Sequence, residues 1–199
     1  LWRGSSILWD DILALIAVMA GTRQFDMALL PLLVQDIHGG VDGVSRWTGF
    51  LFAVASMGGL LAGPVFGHWA DRFAPAGIAR VCAIGAAVMM IPQGLAHAFG
   101  LLVPARFAMM FFAGGLDPVF QIWLAKITPP DRHGVVFGWS STARSLGWFA
   151  APLLSGVLAA TLGLRTIYFI NAALFLALLP MIHGVTARVG LNAKDSATR

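Results

Sequence analysis

Five ionisable side chains, Arg23, Asp26, Arg106, Asp117 and Arg144, lie inside long apolar runs rather than between them. A charge near the centre of a membrane helix costs about 2.5–3.5 kcal/mol on insertion scales, so such residues should face one another or a wet cavity, not lipid. There they can pair, hold a charged solute or, for the acids, exchange a proton. Asp26 and Asp117 are the only acids in these runs. A carboxyl that exchanges a proton near neutral pH needs desolvation to raise its pKa, whereas a neighbouring Arg lowers it. An acid–Arg pair can therefore switch only if the Arg moves away. At about 1.5 Å of rise per residue, Asp117 and Arg144 sit at similar depth and form the best candidate interhelical pair. Arg23 and Asp26, three residues apart, are expected to pair locally, and Arg106 to reach inward towards Asp26. The plainer alternative is a set of fixed structural ion pairs.

Gln24, Gln121, Ser140, Ser141, Thr142 and Asn171 add possible hydrogen-bond contacts, and Trp123, Trp139 and Trp148 could stack on a solute. Trp47 and Trp69 fit interfacial anchors. His38, His68, His97, His133 and His183 fall at span ends or in loops, without metal-ligand spacing to Cys or acids. No nucleophile–base constellation, phosphate loop or dinucleotide glycine pattern is present. No catalytic residue, metal or cofactor is therefore expected, and the chain is not an enzyme.

The composition sets the surroundings of these residues. The 199 residues are 58% hydrophobic and 11% charged, with a mean hydropathy of +0.81. Soluble domains carry about 25% charged residues. All nine acids are Asp and Lys occurs only at 126 and 194, so the Glu and Lys that would clothe soluble helices are largely missing. The net charge of +4 comes from scattered Lys and Arg without a basic cluster, which argues against nucleic acid. The single Cys82 lies in an apolar run and reads as packing.

Six runs approach the roughly 20 apolar residues that a spanning helix needs: 12–34, 47–66, 78–98, 101–125, 135–162 and 166–183. Membrane strands would alternate and be about half as long, so the expected class is an all-α membrane protein. Residues 1–11 are assigned to an N-terminal segment, 12–183 to the bundle and 184–199 to a tail. One side carries Arg3, Arg72, Arg80, Lys126, Arg132, Arg188, Lys194 and Arg199, the other only Arg46 and Arg165. The positive-inside rule then predicts both termini in the cytoplasm. The start at Leu1 and a first run longer than a signal-peptide core of about 7–15 residues suggest a fragment or processed chain.

The spans divide into two sets of three. The second carries Ala55, Gly59, Gly63 and Gly67, and the fifth carries Ala143, Gly147, Ala151, Ser155 and Ala159, small residues at every fourth position. Such stripes let helix backbones approach. Their recurrence predicts an inverted 3+3 repeat. Every span contains a proline, and Pro118 and Pro152 lie deep enough to shape a moving helix. The buried charges lie only in the first, fourth and fifth spans. Those spans are expected to line a pathway, with the second, third and sixth packing or facing lipid.

Between the second and third spans lies Gly67-x-x-x-Asp71-Arg72. It resembles the signature loop of the major facilitator superfamily, Gly-x-x-x-Asp-Arg-x-Gly-Arg-Arg or Lys. Ala74 stands at the second glycine, and Pro75 and Ala76 at the basic pair. Arg106 followed by Gly114, Pro118 and Gln121 is similar to the family's fourth-span pattern. Gly147-x-x-x-Ala151-Pro152-x-x-Ser155-Gly156 resembles the glycine–proline motif of its fifth and eleventh spans. The stretch from Pro130 through Phe137, Gly138 and Arg144 to Gly147 looks most like the approach to an eleventh span. The resemblance covers about residues 10–185 and favours the C-terminal six-helix half of a twelve-span transporter, closest to the drug-efflux branch of proton antiporters.

That resemblance implies secondary transport of small organic solutes by alternating access, with proton-coupled efflux as the leading mechanism. Metabolite uptake or exchange is the rival, and a non-transporting six-helix binding or assembly module is a rival of another class. Arg23, Asp26, Arg106, Asp117, Gln121 and Arg144 would form the substrate and proton pathway. Gly67, Asp71 and Arg72 would form a cytoplasmic latch, and Gly59, Gly63, Pro118, Gly147, Pro152 and Gly156 would serve packing and bending. The implied partners are a small-molecule substrate, protons, the bilayer of a plasma or inner membrane, and a second six-helix half, either a missing N-terminal half or a second copy.

Overall fold

A computed structural model describes the backbone of residues 3–197 and the side chains of residues 10–188. Every regular element among them is helical: α1 (Arg3–Gln24), α2 (Leu30–His38), α3 (Val44–Arg72), α4 (Pro75–Gly94), α5 (Phe99–Ile127), α6 (His133–Leu162) and α7 (Leu164–Ala197). They provide six candidate membrane spans, the first of them, Asp10–His38, made of two helical pieces. The helices outrun the apolar runs by a few residues at most ends, and α7 continues through the residues assigned to the tail. The side chains of Arg3 and Lys194, and all of Arg199, lie outside the described residues.

The first span breaks for a local reason. Pro31 has no N–H, and its ring crowds the carbonyl four residues earlier, that of Met27. The chain answers with a turn closed by Phe25 N–H to Thr22 O and a short 3-10 segment at Met27–Leu29 before α2 begins. Asp26 sits in that break. The α3–α4 connection is equally tight. Pro75 disfavours helix at the residue before it, and Phe73 and Ala74 are extended. Asp71 and Arg72 therefore belong to the last turn of α3, not to a separate loop.

Helix contacts follow a pseudo-twofold pattern. The α3–α5 contact corresponds to α6–α1, and α4–α5 to α7–α1, while α4 and α7 pack on each other across the axis. Exchanging the first three spans with the last three preserves this map, as an inverted 3+3 repeat requires.

Glycines set the closest approaches in both crossing pairs. A Cβ at Gly147 would fall 2.3 Å from Ala17 O and 2.7 Å from Gly21 N, so α6 lies directly on α1. In α3 and α5, a Cβ at Gly58 would meet Phe107 O at 2.6 Å, and one at Gly114 would meet Gly59 Cα at 2.9 Å. The fifth-span stripe is buried at Gly147, Ala151 and Ser155. The second-span stripe needs correction. Its buried face runs through Ala55, Gly58, Ala62 and Phe66, and Cβ atoms at Gly63 and Gly67 would meet nothing within 4 Å. The buried row from Gly58 through Ala62 and Phe66 to Ala70 lies one residue, about 100° of helix turn, away from the row of Gly59, Gly63 and Gly67. Gly156 likewise faces open space.

Side chains tie the ends. At the end that carries both termini, Arg188 pairs with Asp11, and Lys126 Nζ donates to Ala70 O at 2.9 Å. At the opposite end Arg165 joins three segments, donating to Asp36 Oδ2 at 2.9 Å and to Gly94 O at 3.5 Å, and meeting His97 Nε2 at 3.2 Å.

Gly147→Ala should lower the thermal stability of the detergent-solubilised protein by roughly 1–3 kcal/mol, the usual cost of overpacking. Gly63→Ala and Gly156→Ala should leave the melting temperature unchanged. Equal effects at all three sites would refute the contact assignment.

Candidate functional site

Two ion-pair clusters occupy the bundle, and burial separates them. In the first, Arg23 from the last turn of α1 donates through Nη1 to Asp117 Oδ2 on α5. Arg144 on α6 brings Nε within 3.6 Å of Asp117 Oδ1, too long for a hydrogen bond. The expected approach of Arg144 to Asp117 is thus present, but Arg23 holds the tighter contact. The side chains of Arg23, Asp117 and Arg144 are 20%, 26% and 27% exposed. The cluster therefore opens on one face of the six-helix body. Charges at this depth do not face hydrocarbon, so that face borders water or another protein body.

In the second cluster, Arg106 on α5 donates through Nη1 to Asp26 Oδ2, and both side chains are 0% exposed. Asn171 on α7 donates Nδ2 to Asp26 Oδ1 at 3.0 Å. Arg106 also reaches Gln93 Oε1 on α4 at 3.3 Å and Met27 Sδ at 3.0 Å. Gln93 Nε2 in turn donates to Met89 O at 3.0 Å. A buried pair holds when surrounding groups take up its remaining donors and acceptors, and here four spans contribute.

The local Arg23–Asp26 pair expected from sequence does not form. Its i, i+3 geometry requires a continuous helix, and α1 ends at Gln24. Across the break, Asp26 turns into the core and Arg23 towards α5. The third and sixth spans also do more than pack, since Gln93 and Asn171 complete the buried cluster.

Gln121 lies one turn beyond Asp117 and is half-buried, and Pro118 directly follows the acid inside α5. Ser140 is buried and donates to Phe137 O at 2.8 Å, whereas Trp139 and Trp148 are exposed and Trp123 is buried. Asp71 and Arg72 are exposed and make no ion pair among the described residues. A separate groove of about 440 Å³ between α1, α6 and α7, walled by Val18, Phe25, Leu154 and Leu174 among others, contains no ionisable residue. It is not part of the charged site.

Sequence reasoning missed Gln93 and Tyr168. Gln93 follows Pro92 near a span end, where a polar residue looks interfacial. Tyr168, the single tyrosine, is fully buried, and its hydroxyl has no partner among the described residues. Its place four residues into the last helix gave no signal of such burial.

Comparison with known proteins agrees with this architecture. The family model described as Major Facilitator Superfamily matches residues 12–194. The chain is 29% identical over 171 residues to the uncharacterized MFS-type transporter YuxJ of Bacillus subtilis (strain 168), covering 85% of this chain and 43% of that protein. It is 32% identical over 157 residues to the multidrug resistance protein MdtG of Enterobacter lignolyticus (strain SCF1), covering 77% of this chain and 37% of the relative. A solved bacterial homolog of the human lysosomal transporter Spinster, in an inward-facing and unoccupied conformation, superposes with a TM-score of 0.62 at 20% identity. That match covers 93% of this chain and 43% of the other. The chain thus spans less than half the length of these proteins. A family model that takes in all six spans, on a six-helix bundle with the same fold as a solved transporter, places the chain in the major facilitator superfamily, a family of transporters and not of enzymes.

Proposed function

We propose that this chain is the C-terminal six-helix half of a secondary transporter for small organic solutes. It would work by alternating access with a second six-helix half and couple to protons through Asp117. The observation that carries this reading is the unequal burial of the two acids. Asp117 lies at an open face between two arginines, one of them not hydrogen-bonded to it, whereas Asp26 is closed in on every side. Only the open acid can change partners without dismantling the core. Pro118 leaves the carbonyl of Gly114 without its helical donor, so α5 can bend next to the acid.

The second half would pack on apolar residues that otherwise face lipid. Leu146, Phe149, Leu153 and Val157 on α6 and Met57 and Leu60 on α3 are exposed within the spans. The excess of Lys and Arg at the end with both termini supports a cytoplasmic position for that end, in a plasma or inner membrane. Asp71 and Arg72 would then lie at the cytoplasmic end of α3, without an ion pair among the described residues, and could latch onto the other half. Efflux is the direction favoured by relatives named multidrug resistance proteins. Uptake is the second reading, favoured by the excess of positive charge at the Arg23–Asp117–Arg144 cluster.

Asp117→Asn should abolish gradient-driven transport in proteoliposomes while solute binding persists; undiminished gradient-driven flux would overturn the assignment. Asp26→Asn should instead reduce the yield of folded protein, because breaking a buried pair costs roughly 3–5 kcal/mol. A well-folded Asp26→Asn variant that transports but has lost proton dependence would move the coupling role to Asp26. Asp71→Ala should raise the labelling rate of cysteines introduced at the terminus-bearing end of the cavity. An unchanged rate would remove the latch.

A further inference from the structure

We infer that the Arg23–Asp117–Arg144 cluster recognises the acidic group of an anionic solute, a carboxylate or phosphate-type oxyanion, and that the solute and a proton bind together. The inference rests on the transport reading for its biological meaning but on the cluster alone for its chemistry. Two guanidiniums face one carboxylate, so the open site carries an excess of positive charge. Its donors are also unspent. Arg23 uses only Nη1 on Asp117, Arg144 makes no hydrogen bond among the described residues, and the Nε atoms of both are buried without a hydrogen-bond partner. A guanidinium presents five donors in a planar fork that matches a carboxylate or phosphate edge. A cationic solute would have to approach two arginines to reach Asp117. An anion meets the arginines directly.

The fully buried Asp26–Arg106 cluster makes the contrast. There Arg106 Nε and Asn171 Oδ1 also lack hydrogen-bond partners among the described residues, but the acid and base are matched one to one and neither charge is exposed. That cluster has neither spare charge nor access.

The sign of the coupling follows from competition. A solute oxyanion and the Asp117 carboxylate draw on the same two guanidiniums. Binding the anion weakens the hold of Arg23 and Arg144 on Asp117 and places a second negative charge beside it. Both effects favour the protonated acid. By linkage, protonation of Asp117 strengthens anion binding to the same degree. Proton and solute then travel in the same direction, which selects uptake over efflux for this class of solute. The proton joins Asp117 on loading and leaves it on release.

The test uses the full-length gene product in lipid nanodiscs and three probes of one skeleton: naphthoate, naphthamide and naphthylmethylammonium. Naphthoate should bind at least about tenfold more tightly than the other two, the scale of one charge-assisted hydrogen bond, and more tightly as pH falls. Arg144→Gln should weaken naphthoate about tenfold, Arg144→Lys less, and Asp117→Asn should strengthen it. A merely structural cluster would not move the two variants in opposite directions. Preference for the ammonium probe, equal or absent binding of all three, or weaker naphthoate binding in a monodisperse Asp117→Asn protein would each overturn the inference. Proteoliposome flux separates it from the reading it rests on. Naphthoate binding without flux of any probe would remove transport and leave the anion site. Gradient-driven flux of the ammonium probe without naphthoate binding would remove the anion site and leave transport.

Discussion

The cost of carrying charge into hydrocarbon is the constraint on which the rest of this structure depends. Three arginines and two aspartates lie within the spans, and each must find an opposite charge, a polar neighbour or a wet face. Their pairing decides how the helices turn. Arg23, Asp117 and Arg144 fix which faces of α1, α5 and α6 meet. Arg106 and Asp26 fix how the break in the first span sits against α4 and α7. A rotation of any of these helices by a quarter turn would leave a charge stranded.

Pairing at these distances needs backbones that can approach, and glycine provides it. Gly147 lies against Ala17 O and Gly21 N, two residues before Arg23 on one helix and three after Arg144 on the other. The glycine contact and the charged cluster are thus neighbours along both helices, and widening the first would separate the second. The same device recurs where Gly58 and Gly59 meet α5. Its recurrence reflects the internal repeat, and there too charges lie beside the crossing, with Arg106 next to Phe107 and Asp117 three residues after Gly114.

The architecture was legible in the sequence because bilayer thickness imposes a run length and because lipid leaves helices few alternatives. The six spans and their ion-pairing residues could be read for that reason. Two pairings, Asp117 with Arg144 and Arg106 with Asp26, followed from depth along the helices; the contact of Arg23 with Asp117 did not. Arg23 and Asp26 are three residues apart, and only the break induced by Pro31 shows that they belong to different clusters. Gly63 looked like a packing residue because a glycine stripe is easily seen, whereas the buried row runs one residue away through Gly58, Ala62, Phe66 and Ala70. Gln93 and Tyr168 carry no periodic signature; their burial depends on which helices surround them, and that is a tertiary fact.

The distribution of the open cluster over the helices bears on how it could switch. Both arginines come from α1 and α6, which interlock through Gly21 and Gly147, and the acid comes from α5, which interlocks with α3 through Gly114 and Gly59. Contact between α1 and α5 is slight by comparison. Close-packed helix pairs move as units because their interfaces are bistable rather than softly deformable. A displacement of the α1–α6 pair against the α3–α5 pair would therefore take both arginines from Asp117 in one step, not in sequence. The buried cluster resists that displacement at Arg106 and Asp26, but Asp26 lies in the break, beyond the end of α1 at Gln24. The upper piece of the first span can stay with the buried cluster while α1 shifts below it. On the coupling proposed for Asp117, the proline that ends the local Arg23–Asp26 pairing would also let one acid stay fixed while the other changes partners.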